Sequence, residues 1–401
     1  MVAPVVWGLL GAFAVALSWA TGTAAIAWVG YLMLGGLALA VALTQVGGRS
    51  LVAERRLSAD RVHLGGRVEV EVSVTNRGRL PVLWAVVAEA LPAGVAMTGV
   101  RGRVGAVPGR GRFRFRYTLK GTRRGYYRIG PTMVRVGDLF GLAARDRVGS
   151  EASGLTVYPR IVPITQGRLP SRRSGGDIRA RHRALEDPLQ VIGIRPYQRS
   201  DGLRRVHWRA TAHTGKLQSK LYDVSSLVET AIALNLERAS YPPSPEEAAE
   251  LTELAILVAA SIAHHVLERR QRTSLLVVGR DLAAGGRARL VRVPGSRDPG
   301  QLAAILSALG RAALGQGDGL AEILASEKPA LPWGALVVAV TPSADEALLR
   351  TLAGLRVSGF GVQVVLVGRG ARPGSELAGP EAMGIATARV RTEADIGALG
   401  I

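Results

Sequence analysis

The chain contains no cysteine in 401 residues. That absence removes disulfides, thiolate metal sites and a cysteine nucleophile together, and it fits a reducing compartment without requiring one. Aromatic residues are scarce at 5 %, although a hydrophobic fraction of 48 % is ample for sizeable cores. No serine sits in a recognisable nucleophile elbow, and no Gly-rich phosphate loop follows any predicted strand. Before Arg49 there is no charged side chain at all. A length of 401 residues suggests two or three domains.

The uncharged beginning is the clearest signal present. Ala24 to Val46 is continuously apolar or small, long enough at about 1.5 Å per residue to cross a hydrocarbon core of roughly 30 Å. Val2 to Leu17 is shorter and equally uncharged, and Ser18 to Thr23 supplies a turn between the two. The pattern predicts a transmembrane helical hairpin over residues 1–48, with Trp7, Trp19, Trp28 and Tyr31 as interfacial or interhelical aromatics. A cleaved signal peptide would need a basic n-region and a cleavage site, and neither is there. Arg49, Arg55 and Arg56 follow directly. The positive-inside rule therefore places the large C-terminal part in the cytoplasm, with these arginines against anionic headgroups.

Residues 49–160 change to period two. Val68 to Val74 alternates strictly and is followed by an Asn76-Arg77-Gly78 turn. Arg112 to Tyr117 places aromatics on one face and arginines on the other. Further strands are expected at Leu83–Glu89, Tyr126–Ile129, Met133–Val136 and Leu155–Tyr158, at spacings suited to a β-sandwich. Residues 161–190 read as a basic linker, with Arg172-Arg173 and Arg179 to Arg183 exposed. A net charge of +20, carried almost entirely by arginine, raises nucleic acid or an anionic membrane face as partners. Its scatter along the chain disfavours a dedicated nucleic-acid groove.

Residues 191–401 begin with an Arg-, His- and Trp-rich stretch and continue as alternating strands and helices. Val191 to Tyr197 predicts a strand and Ser200-Asp201-Gly202 its turn, with Asp201 paired to Arg204 or Arg205 and Trp208 as a buried anchor. Asp201, His207 and His213 supply acid/base residue types, but a His-x5-His spacing is not a standard metal pair, and no catalytic residue is assigned. Beyond, strands are expected at Val228–Leu236, Thr273–Val278, Leu336–Val340 and Val362–Val367, with helix caps at Ser244-Pro245, Asp298-Pro299-Gly300 and Ser343 to Glu346. Near-continuous apolar strands between amphipathic helices predict a parallel sheet covered on both faces.

Several spaced motifs resemble the bacterial family named "domain of unknown function 58". They are Arg195, Tyr197, Asp201, Arg204, Trp208, Thr211-Ala212, Leu217 and Lys220, preceded by Arg124 to Tyr127, Ile129-Gly130-Pro131, Asp138 to Leu142 and Val157 to Arg160. Ser200 and His213 depart from the family's usual Gly and Arg. The resemblance implies a signature or interaction role for Arg195, Tyr197, Asp201, Arg204, Trp208 and Lys220. It also implies an α/β part similar to a von Willebrand factor type A domain, in which an Asp-x-Ser-x-Ser loop holds Mg²⁺ through hard oxygen ligands. Here Asn235 stands for the Asp, while Glu237 and Ala239 replace both serines. Arg238 adds a positive charge, and Thr341-Pro342 lies where another Asp would be expected. Neither metal nor cofactor is therefore expected. The family resemblance further implies a non-catalytic adaptor or assembly factor partnered by a MoxR-type AAA+ ATPase and transglutaminase-like membrane proteins.

Overall fold

A computed structural model of the chain describes residues 2–100, 102–138, 141–165, 186–198, 201–224, 229–285, 290–368 and 383–399. Most of the predicted basic linker therefore lies outside the described residues. The fold divides into two compact units, Met1–Pro159 and Arg160–Ile401.

The first unit opens with helix α1 (Val2–Thr21) and helix α2 (Ala24–Ser50). Their turn is only Gly22-Thr23, shorter than predicted, with Gly22 in the left-handed region at φ +68°. The polar residues before it do not break the helix, because Thr21 Oγ1 donates back to the Leu17 carbonyl and Ser18 Oγ to that of Thr23, each at 2.9 Å. The helices touch closely where a Cβ on Gly30 would come within 2.6 Å of Val15. Both are long and apolar enough to cross a membrane, and only 11 % of each apolar window is buried by protein.

Without a loop, α2 passes into a body with eleven strands among the described residues. These are β1 (Leu51–Leu57), β2 (Arg61–His63), β3 (Arg67–Asn76), β4 (Val82–Glu89), β5 (Val95–Gly99), β6 (Gly102–Val107), β7 (Arg112–Gly121), β8 (Gly125–Ile129), β9 (Thr132–Gly137), β10 (Ala144–Ser150) and β11 (Ser153–Tyr158). They form sheets in the orders β1-β3-β7-β5, β10-β9-β4-β6 and β2-β11-β8. Alternation predicted the central pair well. Val68, Val70, Val72 and Val74 face inward opposite Leu119, Tyr117, Phe115 and Phe113, while Arg114 and Arg116 share Glu71 on the outer face. That carboxylate partly compensates the arginine row. Strands β1, β5, β6 and β10 lack strict alternation, and β2 is only three residues long, which is why pattern alone did not single them out.

One expectation fails in this unit. The Arg55 side chain is 1 % exposed and pairs at 2.9 Å with Glu89, itself fully buried. It donates further to the Ile129 carbonyl at 2.6 Å and to Thr132 Oγ1 at 2.9 Å. Arg55 thus cannot meet lipid headgroups. The pairing of β1 turns it inward, where a carboxylate awaits.

The second unit begins with a hairpin of β12 (Glu186–Pro196) and β13 (Gln218–Val224), whose connection carries helix α3 (Trp208–Thr214). Then follow β14 (Thr230–Asn235), helix α4 (Pro245–Glu268), β15 (Thr273–Val278), β16 (Arg280–Asp281), β17 (Leu290–Ser296), helix α5 (Gln301–Arg311), β18 (Ala312–Ala313), helix α6 (Leu320–Glu327), β19 (Leu336–Thr341), helix α7 (Glu346–Val357), β20 (Gly361–Val367) and β21 (Ala386–Val390). The main sheet has the order β17-β15-β14-β19-β20-β21 and is parallel except at the β17 edge. Ala231, Ala233, Val337 and Ala339 pack under α6 and α7. Ile232, Leu234 and Val338 are also fully or nearly fully buried, and α4 packs directly on β14 and β19. The sheet is thus covered on both faces.

Helix α4 is apolar enough to span a bilayer, yet its apolar window is 61 % buried, so it is a core helix. Its start is as predicted, with Ser244 Oγ accepting from Glu247 N–H and Pro245 at the first turn. Asp345 caps α7 the same way, at 2.8 Å from Leu348 N. Helix α5 differs: Gly300 is its N-cap, and Asp298 contributes its backbone carbonyl.

Candidate functional site

In doubly wound sheets the strand order reverses at one point, and ligands bind in the crevice at the carboxyl ends of the two strands flanking it. Here those strands are β14 and β19. They end on Asn235, 3 % exposed, and Thr341, fully buried.

Asn235 Oδ1 accepts the Glu237 N–H at 3.0 Å. A backbone N–H can only donate, so this bond fixes the amide's orientation. Nδ2 then donates to Ser240 Oγ at 2.9 Å and to Thr341 Oγ1 at 3.1 Å. Thr341 Oγ1 donates onward to the Ser343 carbonyl at 2.7 Å, and Ser343 Oγ to the Ser240 carbonyl at 3.1 Å. The Asn235 carbonyl accepts from the buried Tyr241 hydroxyl at 2.7 Å. The strand ends are closed by a neutral, internally bonded network.

A divalent cation does not fit this donor set. Such an ion needs several oxygen lone pairs turned toward it, whereas an NH₂ group occupies the middle and takes lone pairs from both hydroxyls. Arg238 does not intrude, because its guanidinium reaches the carbonyls of Pro242 at 2.5 Å and Pro243 at 2.7 Å. Ala239 is exposed. Ser240, one residue beyond Ala239, takes the serine's place. Its only signal in the sequence is a serine displaced by one step.

Glu237 stands half-buried beside the network. Burial, and then the charges of Asp345, Glu322 and Asp318, raise its carboxyl above the usual range. Among the described residues there is no group of three or more His, Cys, Asp or Glu side chains placed to hold a metal.

The signature stretch forms a second cluster. Arg195 Nη2 donates to Asp201 Oδ1 at 2.6 Å, Asp201 Oδ2 accepts from Gln198 N–H at 3.0 Å, and the Tyr197 hydroxyl donates to the Asp201 carbonyl at 2.7 Å. Burial opposes ionisation of Asp201, but the Gln198 N–H, the Arg195 guanidinium and the charge of Arg205 outweigh it and hold the carboxyl below its usual range. Asp201 thus forms an ion pair with Arg195, a partner the sequence did not suggest, and the charge of Arg205 also acts on it. The Arg204 side chain lies outside the described residues.

Two signature residues do not join this cluster. Trp208 is 66 % exposed instead of buried, since it occupies the first turn of a seven-residue helix that buries none of its residues. Lys220 pairs in register with Ile194 and so faces the opposite side of the hairpin from Arg195. His207 caps α3, its Nδ1 accepting from Ala210 N–H at 3.1 Å. His207 and His213 line one shallow cleft, but Asp201 does not. The three acid/base types do not converge.

No family model matches the chain. It is similar to the uncharacterized protein YeaD of Bacillus subtilis (strain 168), 24 % identical over 245 residues, which covers 58 % of this chain and 57 % of that protein. The matched region spans little more than half of that relative's length. Among solved structures it is similar to the CARDB domain of PF1109 from Pyrococcus furiosus, at 19 % identity over 27 % of this chain and 94 % of that one, with a TM-score of 0.20. It is also similar to the cupredoxin domain of amoB from Nitrosocaldus yellowstonii, at 12 % identity over 33 % and 99 % of the two chains, with a TM-score of 0.21. Likenesses at this level bear on neither fold nor function.

Proposed function

We propose that the chain is a membrane-anchored, non-catalytic adaptor or assembly factor of the "domain of unknown function 58" type, with its C-terminal part in the cytoplasm. Its second unit is a von Willebrand factor type A-like domain that engages partners without a metal. The partners proposed from the family resemblance are a MoxR-type AAA+ ATPase and transglutaminase-like membrane proteins.

The observation that carries this reading is the Asn235–Thr341–Ser240 network. The crevice where this sheet architecture handles ligands is filled by groups that satisfy one another, so what it offers outward is a fixed surface. The half-buried Glu237 beside it, with Asp318, Glu322 and Asp345 nearby, gives that surface negative charge in a chain of net charge +20. A basic partner surface complements it.

The test is affinity capture of the full chain from solubilised membranes, with Glu237→Lys as the paired variant. The reading expects an AAA+ ATPase to be recovered with the parent and diminished with the variant. Recovery of no ATPase and no envelope protein by either would reject it.

A further inference from the structure

The second unit holds a cavity of about 370 Å³ between the face of its main sheet and the short helix α6. It lies toward the amino ends of β14, β15 and β19, the opposite end of the sheet from the closed crevice. Small side chains leave the space open, since the sheet contributes Ala231, Ala233 and Ser274 to the floor. Helix α6 is only eight residues long, and its Leu324, with Leu331 beyond it, closes the far side. The interior is mostly apolar and of a size that holds a small molecule.

One side of the cavity is charged. Glu229 immediately precedes β14, and its side chain is 6 % exposed. Gly295 of β17 makes room for it, because a Cβ there would come within 2.3 Å of Glu229 Oε1. Arg272 Nε lies 3.7 Å from the Glu229 carboxylate, too far for a hydrogen bond, and Arg272 Nη2 donates to the Gly295 carbonyl at 2.8 Å. A carboxylate this enclosed ordinarily accepts hydrogen bonds. Among the described residues this one accepts none, and it lines the cavity. Arg292 is paired with Glu327 at the end of α6. Both arginines are about half exposed and mark the mouth. Two guanidiniums thus stand against two carboxylates, so the lining carries no net charge.

We propose that this cavity binds a small zwitterion with an apolar body, an apolar α-amino acid or a dipeptide, its ammonium donating to Glu229 and its carboxylate accepting from Arg272. Each alternative guest fails on one feature. A fatty acid would bring a second carboxylate beside Glu229 and no donor for it. A polyamine would meet Arg272 and Arg292 at the mouth. A wholly apolar guest would seal the carboxylate in without a partner, which is costly. The ammonium supplies the missing donor as a charge-assisted bond, the guanidinium of Arg272 neutralises the other end, and the apolar floor receives the side chain. The inference stands apart from the adaptor reading, because none of these residues belongs to the closed crevice or its acidic rim.

The full chain in detergent micelles is titrated calorimetrically with leucine, phenylalanine and leucyl-leucine, and with the N-acetyl and amide forms of each, which block the ammonium or the carboxylate. At least one zwitterion should bind, and blocking either charge should weaken it on the order of tenfold or more, the effect of losing a charged hydrogen bond. Glu229→Gln should erase the difference between that zwitterion and its N-acetyl form, and Arg272→Gln the difference between it and its amide. Ser274→Leu fills the floor and leaves both charges in place. It should abolish binding, and it decides the matter if Glu229→Gln does not fold. Whether the amino acid or the dipeptide binds more tightly identifies the source of the zwitterion. Equal affinity for the zwitterion and its blocked forms overturns the proposal, as does binding that survives Ser274→Leu. So does the absence of saturable binding by all three zwitterions at millimolar concentration.

Discussion

Asn235 and Thr341 end neighbouring parallel strands and are joined by a 3.1 Å hydrogen bond from Nδ2 to Oγ1. Because the Glu237 N–H holds Oδ1, the amide cannot turn over without losing that bond. Truncation by Asn235→Ala strands the Glu237 N–H and leaves the Ser240 and Thr341 hydroxyls without their donor. At about 1–3 kcal/mol for such buried groups, the variant should melt measurably below the parent in detergent micelles. Added Mg²⁺ or Mn²⁺ should leave the parent's melting temperature unchanged. A metal-dependent rise would show that the amide yields its place to a cation.

The Arg55–Glu89 pair makes a sharper demand on stability. Both side chains are essentially inaccessible, at 1 % and 0 % exposure, and Thr132 Oγ1 donates to Glu89 Oε1 at 2.5 Å. Glu89→Gln leaves a buried guanidinium uncompensated, which costs about 3–5 kcal/mol. Replacing both partners, with Arg55→Met and Glu89→Leu, should recover much of that loss. The three melting curves decide it: a double variant no better than Glu89→Gln means the pair's hydrogen bonds, not its charges, hold the strands.

How far the sequence foretold this fold depends on which force set each element. The hairpin was legible because an uncharged run is a property of composition, and the β3–β7 pair because one buried face imposes alternation. The caps at Ser244 and Asp345 were legible because capping is local. Arg55 was misplaced because only the pairing of β1 with β3 decides which way its side chain turns. The closed crevice was half legible: Asn235 and Thr341 could be picked out as strand ends, but Ser240 reaches Asn235 only through the 3₁₀ turn at Arg238–Ser240. Trp208 misled for a general reason. A large aromatic is most often an anchor, and nothing local marks a helix too short to bury it.

That exposure is itself testable. Trp208 is 66 % exposed, whereas Val72 is fully buried between β3 and its neighbours. Trp208→Ala should therefore change stability by no more than about 0.5 kcal/mol, while Val72→Ala, though a smaller truncation, should cost a substantial part of the roughly 1.5–3 kcal/mol that burying a valine contributes. If capture experiments lose a partner with Trp208→Ala while the melting temperature holds, the tryptophan is a contact residue. A large fall in melting temperature would instead mean that it is packed.

Two carboxylates should give pH dependences of opposite sign. Asp201 is held below the ordinary aspartate value of 3.8 in the folded chain. It therefore stabilises the fold above that pH, and the contribution is lost as pH falls through its folded value. Asp201→Asn should lower the melting temperature at neutral pH, with the deficit narrowing only below about pH 4. Glu237 is raised above 4.5 by burial and by Asp345, Glu322 and Asp318. Its folded form binds the proton more tightly, so stability is greatest below pH 4.5 and is lost as pH rises through the folded value. Glu237→Gln removes the ionised form and should raise the melting temperature at neutral pH, the gain fading as the buffer is brought toward pH 4.5. Paired melts of each variant against the parent over that range separate the two signs. A neutral-pH loss for Glu237→Gln would mean that its carboxylate has a cationic partner in the folded protein, which would remove the negative rim from the proposed docking surface.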